Sequence, residues 1–72
     1  MRNVIDIIRK YSKKGYYIEV LADGGYEYGG VSWRGYVSWY EDGEWSQEDC
    51  GCYKDWEDAF DSALDFILSY EN

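Results

Sequence analysis

Val31-Ser32-Trp33-Arg34-Gly35-Tyr36-Val37-Ser38-Trp39-Tyr40, followed at once by Glu41-Asp42-Gly43-Glu44-Trp45-Ser46-Gln47, is the passage from which the fold can be read. β-Branched and aromatic residues dominate its first ten positions, as suits a pleated, half-buried surface. The pleat is disturbed near Arg34-Gly35. Asp42-Gly43 is a two-residue hairpin signal, because both residues tolerate the positive φ angles of the tight turns that match strand twist. Residues 44–47 then return along the first strand. Working upstream, Tyr16-Tyr17-Ile18-Glu19-Val20-Leu21 has the same strand character and runs into the turn signal Asp23-Gly24-Gly25. Tyr26 to Tyr28 resumes it, and Gly29-Gly30 marks a bulge, a bend or a second turn. The middle of the chain is therefore expected to be an antiparallel meander of three or four strands. Downstream, Ser46 to Tyr53 is polar and cysteine-bearing, and reads as a loop or the fraying end of the last strand.

Helices flank this meander. Asn3 can cap a helix over residues 3–14, where Val4, Ile7, Ile8 and Tyr11 recur at the spacing of one apolar stripe, widened by Ile5. Lys10, Lys13 and Lys14 fall in its last turns, where the helix dipole favours cations, and Gly15 can supply the stop. The second helix starts after Asp55, its expected cap, with Glu57 and Asp58 in the first turn. Its stripe is Trp56, Ala59, Phe60, Ala63, Leu64 and Ile67, with Tyr70 closing it. Helix, meander and helix in that order predict an α+β fold, one domain over residues 1–72, with both helices on one face of the sheet.

Four Trp, nine Tyr and two Phe in 72 residues offer the aromatic core that so short a chain needs, and they argue against disorder. No apolar run approaches the ~18–20 residues of a membrane span, and no leader opens the sequence. The expectation is a cytoplasmic protein with reduced thiols. The net charge of −8 is uneven: residues 41–72 carry eleven acidic residues against Lys54 alone. A field of that sign repels nucleic acid and steers toward basic protein surfaces.

No histidine is present, so histidine-based triads, imidazole bases and histidine-ligated metals are excluded. Paired carboxylates could act only in a cleft, for which so small an aromatic core leaves little volume. The stretch Gly24 to Gly30 lacks the Lys-Ser/Thr pair of a phosphate loop and opens no helix. Cys50-Gly51-Cys52 has one spacer, too few for a thioredoxin-type pair and a strained closure for a disulfide; free thiols, a metal site completed by carboxylates such as Asp49, or redox use remain open. Glu41-Asp42-Gly43-Glu44 lacks the alternation of a calcium loop. The chain is expected to be no enzyme, and to need no cofactor or metal.

Two features stand above this background. Glu57, Asp61 and Asp65 recur at i, i+4 and i+8 with Asp58 beside them, and like charges at that spacing cost a helix ~0.2–0.5 kcal/mol per pair. Such a ridge is either an ordinary solvated face or a surface kept for a basic partner. The second is surplus aromatic surface. Adjacent strand residues point to opposite faces, so part of the set Tyr17, Tyr26, Tyr28, Trp33, Tyr36, Trp39 and Tyr40 should remain accessible on a sheet whose helices cover one side. Cross-strand ring pairing for sheet stability is the plainer account of that set.

Asp6-Ile7-Ile8-Arg9 on a short first helix, leading into Gly15-Tyr16-Tyr17-Ile18-Glu19-Val20, with the meander and acidic helix after it, resembles in layout the small acidic inhibitors that phages encode against bacterial defence systems, the anti-CRISPR proteins above all. The resemblance covers most of the chain without a diagnostic motif, and the second half departs from it at Cys50-Gly51-Cys52. It implies occlusion inside a bacterial host cell: carboxylates presented where a nuclease complex expects phosphates. Glu57, Asp58, Asp61 and Asp65 would form the phosphate-like ridge, and Asp42, Glu44, Glu48 and Asp49 would extend it. Trp33, Tyr36, Trp39 and Trp45 would supply aromatic anchors. The expected partner is a basic protein surface, such as that of a CRISPR complex, rather than nucleic acid or membrane. The alternative is a homo-oligomer, a dimer being the simplest, joined through an exposed aromatic sheet face.

Overall fold

The computed structural model of the chain describes residues 3–24 and 30–71. Helix α1 spans Val4–Lys13, strands β1, β2 and β3 span Tyr16–Asp23, Ser32–Glu41 and Glu44–Tyr53, and helix α2 spans Trp56–Glu71. The strands form one antiparallel meander in the order β1-β2-β3. The strand character read at Tyr26 to Tyr28, and the choice at Gly29, fall outside the described residues.

Local chemistry sets most boundaries. Asn3 accepts the Asp6 amide at 3.1 Å and caps α1, while Gly15 at φ 93° ends it. Asp42 and Gly43 take φ 54° and 81°, the positive pair that closes a two-residue hairpin. The carbonyl of Asp55 accepts from Ala59 N at 3.3 Å, which places Asp55 at the N-cap position of α2.

One expectation is corrected. Residues 46–53 are neither loop nor frayed end: β3 continues through Tyr53, pairing Gln47 with Ser38, Glu48 with Val37 and Asp49 with Tyr36. Their polarity belongs to an edge strand, where charge on the rim discourages pairing with another chain. The register slips between Arg34 and Tyr36, so that two β3 residues, Cys50 and Gly51, oppose Gly35 alone. Gly51 sits in this bulge at φ 101°, a conformation that side-chain-bearing residues rarely adopt.

Both helices lie on one face of the sheet. The buried cluster is Tyr11 of α1, Val37 of β2, and Ala63 and Ile67 of α2, with Ile18, Trp39 and Phe66 packed around it. Strand alternation gives this face Tyr16, Ile18, Val20 and Ala22 of β1 and Trp33, Gly35, Val37 and Trp39 of β2. α2 crosses the centre of the sheet so closely that a Cβ on Gly35 would stand 2.6 Å from the Ala59 carbonyl oxygen. The opposite face carries Tyr17, Glu19, Leu21, Arg34, Tyr36, Ser38, Tyr40, Trp45 and Gln47, and neither helix covers it. Among the described residues no helix is long and apolar enough to cross a membrane.

Candidate functional site

Two surfaces emerge, on opposite sides of a molecule whose shortest extent is 18 Å. The first is the outer side of α2. At 100° per residue, Glu57, Asp58, Asp61 and Asp65 fall within an arc of about 100° centred away from Ala59, Ala63 and Ile67. Glu57, Asp58 and Asp65 are exposed. Asp61 is half-buried and one of its carboxylate oxygens is fully buried, so it is a packed group and not a plain surface charge. No Lys or Arg occurs anywhere on this helix.

Between α2 and the β3 edge runs an open groove of about 560 Å³, lined by Glu48, Asp49, Cys50, Ser62, Asp65 and Phe66 among others. Folding thus brings Glu48 of β3 and Asp65 of α2 to the lining of one groove. Asp49 is already engaged: it accepts Arg34 Nη1 at 2.9 Å and Gly51 N at 2.9 Å. The Gly51 amide first, and Arg34 after it, hold its carboxyl below the ordinary range against the opposing effect of burial. Asp42 and Glu44 are exposed at the hairpin turn, apart from the groove.

Two hydroxyl- or thiol-bearing side chains of the groove are engaged by their neighbours. Ser62 Oγ donates to the Cys50 carbonyl at 2.7 Å and accepts from Tyr53 OH at 2.9 Å. Burial first, then Glu48 and Asp49, push the Cys50 thiol up to about 11, which keeps it protonated at neutral pH. Cys50 packs against the buried cluster on the helix side, while Cys52 donates to Ser32 Oγ at 3.0 Å and pairs with Arg34 on the other face. The bulge at Gly51 therefore turns the two thiols apart, and both are free. Among the described residues no cluster of carboxylates and thiols is arranged to hold a metal ion.

The second surface is the sheet face away from the helices, at its end near the Asp42-Gly43 turn. Tyr17, Tyr40 and Trp45 are 48%, 58% and 63% exposed there. They form one cluster: Trp45 lies 5.4 Å from Tyr40 and 5.7 Å from Tyr17, centroid to centroid. Tyr36 shares the face, half-buried. Trp33 and Trp39 do not. Trp39 sits under α2 with Phe66 at 5.5 Å and Tyr70 at 5.0 Å, and its indole N–H donates to Glu41 at 3.1 Å. The four rings read from sequence as anchors are thus divided between the two faces, and Trp39 is part of the packing that seats α2. Among the described residues the accessible members of the surplus set are Tyr17 and Tyr40, beside Trp45, with Leu21 (47% exposed) further along β1; Tyr26 and Tyr28 lie outside the described residues. Parity across the Asp42-Gly43 turn pairs Tyr40 with Trp45 and was the signal that could have selected them.

Comparison with protein-family models, with curated proteins and with solved structures finds no match.

Proposed function

We propose that this chain is a non-catalytic, acidic protein-binding inhibitor that occupies a basic nucleic-acid-binding surface of a defence nuclease complex in the bacterial cytoplasm, in the manner of the anti-CRISPR proteins. The outer face of α2 carries this reading: three exposed carboxylates, Glu57, Asp58 and Asp65, lie on a helix with no basic residue, and Glu48 stands across the groove from Asp65. A channel that binds phosphates with Lys and Arg meets on this face a row of anionic oxygens on a rigid rod. Complementary charge speeds the encounter and makes it salt-sensitive. A helix selected for stability alone would intersperse Lys or Arg at these positions.

The test is binding of the purified chain to a panel of nucleic-acid-handling complexes, CRISPR effectors included, at low and physiological salt, with DNA as competitor. The expected result is binding that excludes DNA, weakens with salt, and is lost when Glu57, Asp58 and Asp65 are changed to Lys. Asp61 is left intact in that variant because its buried oxygen would turn a charge reversal into a folding defect. Binding that survives the reversal refutes the reading. A second reading, self-assembly through the open sheet face, is favoured only by the exposed trio Tyr17, Tyr40 and Trp45. It requires a mass that rises with concentration.

A further inference from the structure

The open sheet face carries chemistry that the α2 surface does not explain. Tyr17, Tyr40 and Trp45 each bring a large ring to it, and at about half exposure the three present on the order of 300 Å². That is the lower end of the range, about 300–600 Å², of the largest apolar patch on an ordinary monomer. Their mutual geometry matters more than their area. Trp45 meets Tyr40 at 67° and Tyr17 at 51°, so Trp45 is stacked flat on neither ring. Half-exposed rings that are not stacked flat on one another offer electron-rich face area to a cation.

The charge around the trio selects that cation. The charged residues whose strand positions face this side are Glu19, Asp23, Arg34 and Asp49, with Asp42 at the adjoining turn. Arg34, the one base among them, is held by Asp23 at 3.0 Å and Asp49 at 2.9 Å. A second copy is a poor occupant: each chain carries −8, and face-to-face stacking sets Glu19 and Asp42 against their own kind. We propose that the open sheet face is a docking surface for an arginine-bearing protein surface, with guanidinium groups stacked on Tyr17, Tyr40 and Trp45 and paired with the flanking carboxylates. Arginine fits better than lysine because its planar, weakly hydrated head stacks on a ring while its N–H groups still reach a carboxylate. This surface lies across the sheet from the α2 arc and stands on separate observations.

The experiment titrates the full chain with hexa-arginine and, separately, hexa-lysine at physiological salt, following the Trp45 indole N–H by NMR. The expected result is a shift of that resonance and an affinity for the arginine peptide about tenfold above that for the lysine peptide, the size of one desolvated cation–π contact. Trp45→Ala with Tyr40→Ala should bring the arginine peptide down to the lysine level. Glu57→Gln, Asp58→Asn and Asp65→Asn together should leave the Trp45 shift in place. Equal affinities, an unmoved Trp45 resonance, or loss of the shift in the α2 variant would each overturn the proposal. So would a Trp45 shift that depends on protein concentration without peptide, which would assign the face to a second copy. The peptide comparison on the unmodified chain needs no variant to fold.

Discussion

Replacing Gly35 with alanine tests how α2 is seated, and with it the placement of both surfaces. The new Cβ would lie 2.6 Å from Ala59 O and 3.3 Å from Ala59 C, both backbone atoms in the first turns of a helix. To restore an ordinary 3.4 Å contact, strand and helix must part by about 0.8 Å, and a gap of that size forfeits a quarter to a half of each dispersion well along the interface. Overpacking of this kind costs ~1–3 kcal/mol, and a backbone obstacle that cannot rotate away puts this case at the upper end. Alanine recovers roughly 0.5–1 kcal/mol of strand entropy over glycine. The net expectation is about 2 kcal/mol of destabilisation, a Tm lowered by roughly 8–16 °C for a domain of this size. Thermal and urea unfolding measure it, with Gly30→Ala as control, since nothing lies within 4 Å of a Cβ there. A Gly35→Ala protein within about 0.5 kcal/mol of the parent, the ordinary range for a surface change, would refute the close seating of α2 on β2.

The remaining expectations concern charge. Glu41 accepts hydrogen bonds from Tyr70 OH and the Trp39 indole, and these, Tyr70 first, hold its carboxyl below the ordinary 4.5. A depressed carboxyl contributes stability that is present above its unfolded value and is lost as pH falls through the folded one. Glu41→Gln should therefore lower stability at neutral pH, with the gap closing in acid, as read from urea midpoints; a gap constant with pH would remove the role given to Glu41. The Cys50 thiol, raised to about 11, has the opposite sign: its contribution is full below its unfolded value and is lost as pH climbs toward about 11. Cys50 should resist iodoacetamide in the folded chain at mildly basic pH and react once urea unfolds it, as mass spectrometry after digestion would show. Finally, Asp65→Ala should raise stability by ~0.5–1 kcal/mol, through helix propensity and relief of repulsion from Asp61 four residues earlier. On the proposed function, the same change should weaken binding of a basic partner. A variant that gains stability and keeps full binding would mark Asp65 as an ordinary solvated residue.

The elements were legible wherever one local signal dominated. Asn3 and Gly15 bound α1, Asp42-Gly43 closes the β2–β3 hairpin, and the stripe from Trp56 to Ile67 is the buried side of α2. The second half of β3 was not legible, because an edge strand under partial cover is chosen by its partner's register and not by its own composition. The disturbance near Arg34-Gly35 was visible in β2, but its cause lies across the sheet in the extra residue at Cys50-Gly51 and in the approach of Ala59. The acidic arc on α2 followed from helical spacing. The assignment of rings to faces did not. Trp33 and Trp39 have the parity of Val37, so the face that holds Val37 in the core also holds them. Parity was readable from the start, but deciding which parity faces the helices required the contact of Val37 with Ile67.

The separation of carboxylate ridge from aromatic trio changes what each can do. At physiological ionic strength a charge is screened over about 8 Å. The Cα atoms of the molecule span 18 Å along its shortest axis, so the two surfaces lie more than one screening length apart. A partner on the sheet face therefore responds chiefly to Glu19, Asp42 and Asp49, and a partner on α2 to Glu57, Asp58, Asp65 and Glu48. When salt is lowered tenfold or more, the screening length passes the thickness of the molecule, and the whole −8 acts on either partner. Association at both surfaces should then accelerate together. Dissociation should remain distinct, because release from the sheet face means uncovering rings as well as parting guanidinium–carboxylate pairs, and only the second is weakened by salt, while release from α2 means separating exposed ion pairs alone. The salt dependence of the two dissociation rates, rather than of the two affinities, is therefore the quantity that tells the surfaces apart.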